Sequence, residues 1–125
     1  MNYLLDTHAL LWWLTDPQKL SVKAQEIIRN RNNLIYVSSA SIWEMAIKKS
    51  IGKLMLPHNL LATITAECFK FLPILPEEAL GIMDLPLIHA DPFDRLLIMQ
   101  AKLHDLVLIT NDEKIIEYPV TFITA

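Results

Sequence analysis

Glycine and cysteine are almost missing from this chain, which has two glycines and one cysteine in 125 residues. With Cys68 alone, no internal disulfide and no Cys-based zinc site can form, and a reducing cytoplasm is the expected compartment. Linkers rich in glycine or serine, low-complexity segments and internal repeats are also lacking, so one domain over residues 1–125 is expected. A chain of this size can bury roughly two thirds of the surface it exposes when unfolded. No apolar run is long enough to span a membrane, and the N-terminal region has no basic start and carries Asp6 in its first apolar stretch. Neither a membrane anchor nor a secretion signal is expected, and the protein should be soluble. Positive charge is not in excess. The net charge of -3 argues against a general polyanion binder with a broad basic face. Arg29 with Arg31, and Lys48, Lys49 and Lys53, read as solvated helix ends. No Walker loop, G-x-S-x-G elbow or H-E-x-x-H motif is present.

What the chain does contain is apolar sequence, 53% of its residues, cut into short runs that alternate between strand and helix character. Asn2 to Leu5 reads as a strand that stops at Asp6, and a helix capped by Asp6 or Thr7 follows to Leu14. Trp12 and Trp13 lie about 100° apart around that helix, so both do not face one core, and one is a candidate for cover by another chain. Ser21 opens a helix to about Arg31, and Leu34 to Val37 is the second strand. Ser38 to Ser41 turns the chain into a third helix that ends near Ile51, with Gly52 placed to terminate it. A helix over His58 to Phe69 and a strand over Phe71 to Leu75 come next, with Pro73 assigning that strand to an edge or a bulge. A short helix from Pro76 to Met83 precedes the main one, an amphipathic helix that Asp91-Pro92 opens as N-cap and first residue and whose apolar stripe of Leu97, Ile98 and Ala101 is headed by Asp94. The chain then runs through a buried strand over Leu106 to Ile109, a helical turn over Glu113 to Glu117 and an extended Thr121 to Thr124. This order predicts an α/β fold: a mostly parallel sheet of four to five strands with helices on both faces. In such sheets sites gather at the carboxyl ends of strands, which places Asp6 and Asp112 at one edge.

Four acids, Asp6, Glu44, Asp94 and Asp112, each follow a strand or turn closely and lie near a helix start. Taken singly, each fits capping: Asp6 and Asp112 as N-caps, Ser41-x-x-Glu44 as a capping box, and Asp94 as an acid favoured by the helix dipole. Taken together, capping does not require that they converge, whereas binding a hard divalent cation does. Mg²⁺ and Mn²⁺ prefer oxygen ligands, and four carboxylates suit one or two such ions activating water for phosphodiester hydrolysis. Asp91 is assigned to capping and Asp94 to the metal. Thr110 and Asn111 read equally as supporting groups or as turn chemistry. Arg95 would contact a phosphate or pair with a nearby acid, and Lys48, four residues after Glu44, has the spacing of a weak surface pair. His8, His58, His89 and His104 show no metal-site spacing with one another and are not counted as ligands.

The segments Leu4-Leu5-Asp6-Thr7-His8-Ala9-Leu10-Leu11-Trp12, Ser41-Ile42-Trp43-Glu44 with Gly52-Lys53-Leu54, Asp91-Pro92-Phe93-Asp94-Arg95-Leu96-Leu97-Ile98 and Thr110-Asn111-Asp112 resemble the ordered motifs of PIN-domain ribonucleases. Within them the resemblance is to VapC-type toxins of toxin-antitoxin pairs, and it runs from Leu4 to about Tyr118. It implies a three-layer PIN-like fold and a Mg²⁺- or Mn²⁺-dependent endoribonuclease with Asp6, Glu44, Asp94 and Asp112 as its acidic quartet. It also implies a homodimer held inactive by a cognate antitoxin, whose apolar segment would pack near the first helices. Two rival readings remain. A receiver-like phosphoacceptor shares the length and sheet, but would want an acidic pair after the first strand and a Lys after the last. A catalytically silent PIN-fold binding module has no need of the intact quartet.

Overall fold

In the computed structural model, which describes residues 1–125, Asn2–Leu5 (β1) is the central strand of a five-stranded sheet. Its neighbours are Leu34–Ser38 (β2) and Val107–Thr110 (β4), and the outer strands are Lys70–Leu72 (β3) and Phe122–Thr124 (β5). The order is β3-β2-β1-β4-β5, and every pairing is parallel. Leu5 stands opposite Val37 on one side and Ile109 on the other. The chain first winds outward through β2 and β3, then returns to the other side of β1. The point of reversal therefore lies between β1 and β4, where a doubly wound sheet opens a crevice at its carboxyl edge.

The helices are Thr7–Thr15 (α1), Val22–Arg29 (α2), Ser39–Ser50 (α3), Leu60–Ala66 (α4), Pro76–Gly81 (α5) and Pro92–Leu103 (α6). Strand alternation divides the core between two faces of the sheet. Tyr3, Leu5, Val37, Val107 and Ile109 pack with Ala9 and Leu10 of α1, Ala24 and Ile28 of α2, Met45 of α3 and Ile64 of α4. Leu4 and Leu108 point the other way, toward Leu97, Ile98 and Ala101 of α6. Three layers result, as the sequence predicts.

Four expectations need correction. The third strand ends at Leu72, before Pro73, because proline cannot continue the ladder; it does lie at the sheet edge. The helix expected over His58 to Phe69 covers only Leu60–Ala66, and Cys68 leaves it with φ 63°. The N-cap of α3 is Ser38, whose hydroxyl accepts the Ala40 N–H at 3.0 Å, so Glu44 lies a turn too far along for a capping box. Finally, α6 is more enclosed than an amphipathic stripe requires, with Arg95 to Ala101 all buried. The reason is α5, which lies across its outer side so closely that a Cβ on Gly81 would meet Met99 Sδ at 3.2 Å. The stop after α3 is as expected: Gly52 has φ 73°, and the N–H groups of Gly52 and Lys53 bond back to the carbonyls of Lys49 and Lys48. Trp13 finds its partners within the chain, donating its indole N–H to Glu67 at 3.2 Å beneath the Arg29 guanidinium.

Candidate active site

Asp6 leaves β1 in extended conformation and caps α1: its Oδ1 accepts the Ala9 N–H at 2.7 Å. Its Oδ2 accepts the Thr110 hydroxyl at 2.5 Å, across the gap to the end of β4. Thr110 Oγ1 in turn accepts the Asp112 N–H at 3.0 Å, so one hydroxyl sets the spacing of both acids. Asp112 Oδ1 accepts the N–H groups of Lys114 and Ile115, at 2.8 and 3.1 Å, and organises the helical turn beyond β4. The third acid arrives from α6. Asp91 caps that helix, its Oδ1 accepting the Phe93 and Asp94 N–H groups at 2.8 and 3.1 Å. This frees the Asp94 carboxylate, whose Oδ2 lies 2.8 Å from His89 Nε2. His89 Nε2 is also 3.5 Å from Asp112 Oδ2, and the three side chains offer ligand atoms within 4.8 Å of one another.

The fourth acid stands beside this group. Glu44 Oε1 accepts the hydroxyl of Thr7, the residue after Asp6, at 2.7 Å, and its Oε2 pairs with Lys48 Nζ at 2.9 Å. Asp6, Asp94 and Asp112 are thus close enough for their charges to act on one another, while Glu44 joins through Thr7. Burial, opposed by the Thr110 and Ala9 hydrogen bonds, raises the Asp6 carboxyl above its ordinary range. Burial first, then the neighbouring charge of Asp91, with Asp112 and Asp6 adding, pushes Asp94 up to about 7 against the opposing pull of His89. No lysine or arginine pairs with Asp6, Asp94 or Asp112. Negative charge in excess, on oxygen donors, is the arrangement that a hard divalent cation relieves. The donor set therefore fits such an ion.

The neighbouring residues sort differently from expectation. Arg95 reaches neither an acid nor open solvent: it is buried, and its guanidinium donates to the carbonyls of Ile82 and Pro86 at 2.7 and 2.9 Å. The rotation of about 100° between successive helical residues turns it away from Asp94, toward the loop before α6. Asn111 is exposed, and Thr110 is the supporting group. His89 was missed because spacing among histidines carries no signal here. Its place just upstream of an N-cap was the usable one, since that turn must pass the start of α6. Trp43 meets Phe93 edge-on at 4.9 Å, so the residues preceding Glu44 and Asp94 also pack together.

A sheet reversing between β1 and β4, with acids gathered at that edge, is the form of the PIN domain, and the chain belongs to the PIN domain family, whose profile matches residues 3–120. Within that family, it is 31% identical over 115 residues to Ribonuclease VapC22 of Mycobacterium tuberculosis (strain ATCC 25618 / H37Rv), covering 90% of this chain and 88% of that protein. Two solved structures share the fold. VapBC2 from Rickettsia felis, bound to a DNA fragment from its promoter, matches with TM-score 0.70 and 18% identity over 98% of each chain. FitAcB from Neisseria gonorrhoeae matches with TM-score 0.61 and 15% identity, over 99% of this chain and 97% of that one.

Proposed function

We propose that this chain is a VapC-type toxin, an endoribonuclease that hydrolyses RNA phosphodiesters with Mg²⁺ or Mn²⁺ held by Asp6, Glu44, Asp94 and Asp112. The observation that carries it is the trio of neighbouring carboxylates, Asp6, Asp94 and Asp112, that no lysine or arginine neutralises, at the reversal point of the sheet. Similarity to a VapC ribonuclease supports the choice of RNA as substrate. When bound, the ion supplies Lewis acidity, lowering the pKa of a water and neutralising charge on the phosphate. The chain's own groups do the rest. Asp6 is fixed by bonds to both oxygens, so it presents its remaining lone pairs in one orientation. Asp112 is set against it by Thr110. Asp94, with its carboxyl near 7, carries a proton part of the time at neutral pH, and an ion must displace that proton. Glu44 is aimed by Thr7 and Lys48 from the α3 side. In the same reading the chain is a single cytoplasmic domain and forms a homodimer. A cognate antitoxin inhibits it within a hetero-oligomer, an arrangement favoured by the match to a VapBC complex.

The test is RNA cleavage by the purified chain, freed of antitoxin, with Mg²⁺, Mn²⁺ or a chelator. Cleavage should require the ion and fall by roughly a hundredfold or more in Asp6→Asn and Asp94→Asn, with far-UV circular dichroism unchanged. Undiminished cleavage in either variant, or in chelator, overturns the mechanism. In cells, the chain expressed alone should arrest growth, and co-expression with its antitoxin should relieve the arrest.

A further inference from the structure

The loop before α6 delivers an imidazole into the acid cluster. We propose that His89 is a positioning residue that acts through Asp94 and Asp112: its Nε2–H holds Asp94 Oδ2 and faces Asp112 Oδ2, leaving Asp94 Oδ1 for the cation. The inference rests on the metal site proposed above and adds a residue outside the acidic quartet.

Three observations support it. The first is contact: Nε2 lies 2.8 Å from Asp94 Oδ2 and 3.5 Å from Asp112 Oδ2, so a single N–H stands between two carboxylates that would otherwise repel each other. The second is the tautomer. The Asp91 backbone N–H points at His89 Nδ1 from 3.4 Å, and a backbone N–H can only donate. In the neutral imidazole this contact makes Nδ1 the acceptor and assigns the hydrogen to Nε2. Ligation of a metal through Nε2 would need the opposite arrangement, with a hydrogen on Nδ1 against that N–H. The geometry thus favours support of the carboxylates over direct ligation, and hydrogen bonds to ligating carboxylates are a common determinant of metal affinity.

The third observation is the anchoring of the loop by hydrogen bonds. The Tyr118 hydroxyl accepts the His89 N–H at 2.8 Å and donates to the Pro86 carbonyl at 2.8 Å. The Arg95 guanidinium donates to the carbonyls of Ile82, Pro86 and His89, and to Tyr118 Oη at 3.2 Å. Adjacent residues on α6 thus divide the task. Asp94 faces the cluster, and Arg95 anchors the loop that brings His89 to Asp94.

The experiment is Mn²⁺ binding to the purified chain, by calorimetry and by the electron paramagnetic resonance of free Mn²⁺, combined with NMR of the imidazole nitrogens. Without metal, His89 should show the Nε2–H tautomer. His89→Ala should weaken Mn²⁺ binding roughly tenfold to a hundredfold. His89→Gln, whose amide can place an N–H near the Nε2 position, should restore most of it, and the shorter His89→Asn should not. This comparison between two amides keeps the test valid if the alanine variant fails to fold. Unchanged affinity in His89→Ala or His89→Asn, or a Gln variant as weak as Asn, overturns the inference while the metal site stands. A native chain that binds no Mn²⁺ overturns the site and the inference together.

Discussion

Asp6 shows how one carboxylate can serve local structure and the proposed site at once. One oxygen caps α1 through Ala9, and the other meets Thr110 from a strand 104 residues away. The capping and metal readings of such an acid are compatible, because a helix N-terminus favours the charged form that a metal needs. Asp94 differs, since capping is done for it by Asp91 and its own charge lies among other charges. The folded state raises its carboxyl from 3.8 to about 7, so between those values the folded chain holds a proton that the unfolded chain has released. The resulting stability is fully present below about pH 3.8 and is lost as pH rises to about 7. In chelator, thermal melts should therefore lose midpoint temperature over this interval. Asp94→Asn should flatten that dependence and melt higher than the native chain at pH 8, and Mn²⁺ should raise the native midpoint only.

Among the elements, α6 carries the largest share of the fold's polar bonding. Glu78 of α5 is buried, accepts the Leu75 N–H at 2.8 Å and the Gln100 amide at 3.2 Å, and is bonded by His104. Gln100 in turn accepts the Ser38 hydroxyl at 2.5 Å, and Ser38 caps α3. The network ties α5 and α6, on one face of the sheet, to the start of α3, whose Met45 packs on the other face. Burial works to raise the Glu78 carboxyl, but bonds from Leu75, His104 and Gln100 outweigh it and hold the group below 4.5. Its stabilisation is present above pH 4.5 and is lost as pH falls through the lowered value. Glu78→Leu leaves the Leu75 N–H without its acceptor and the Gln100 amide with the Pro73 carbonyl alone, and should cost about 1–3 kcal/mol by urea denaturation at pH 7. The difference from the native chain should shrink below pH 4.

At the scale of the whole molecule, both cores share one sheet, since Leu4 and Leu5 are neighbours on β1 and bury on opposite faces. Loss of one core exposes the back of the other, which is the physical content of the single-domain proposal. Leu10→Ala, in the first core, and Leu97→Ala, in the second, should each cost about 2–5 kcal/mol. Fluorescence and circular dichroism should report one coincident transition in both variants, and separate transitions would divide the chain into two units.

Much of this organisation is legible without coordinates. Short apolar runs, the caps at Ser21 and Asp91, and Gly52 after α3 specify the elements locally, because propensity, capping and backbone sterics act within a few residues. Alternation of those elements suffices for the three-layer parallel sheet. The order of strands then sets Asp6 and Asp112 at one edge, and the cap at Asp91 leaves Asp94 uncommitted. The tertiary structure decided what depends on contact between distant segments. Arg95 looked like a partner for phosphate or acid, yet it is spent on the carbonyls of a loop that folds back over α6. Glu44 looked like part of a capping box, yet it takes its orientation from Thr7 and Lys48. His89 had no motif, and only the path of that same loop brings it within 2.8 Å of Asp94. Side-chain direction and loop path are set by packing against the whole fold, and no local rule of spacing contains them.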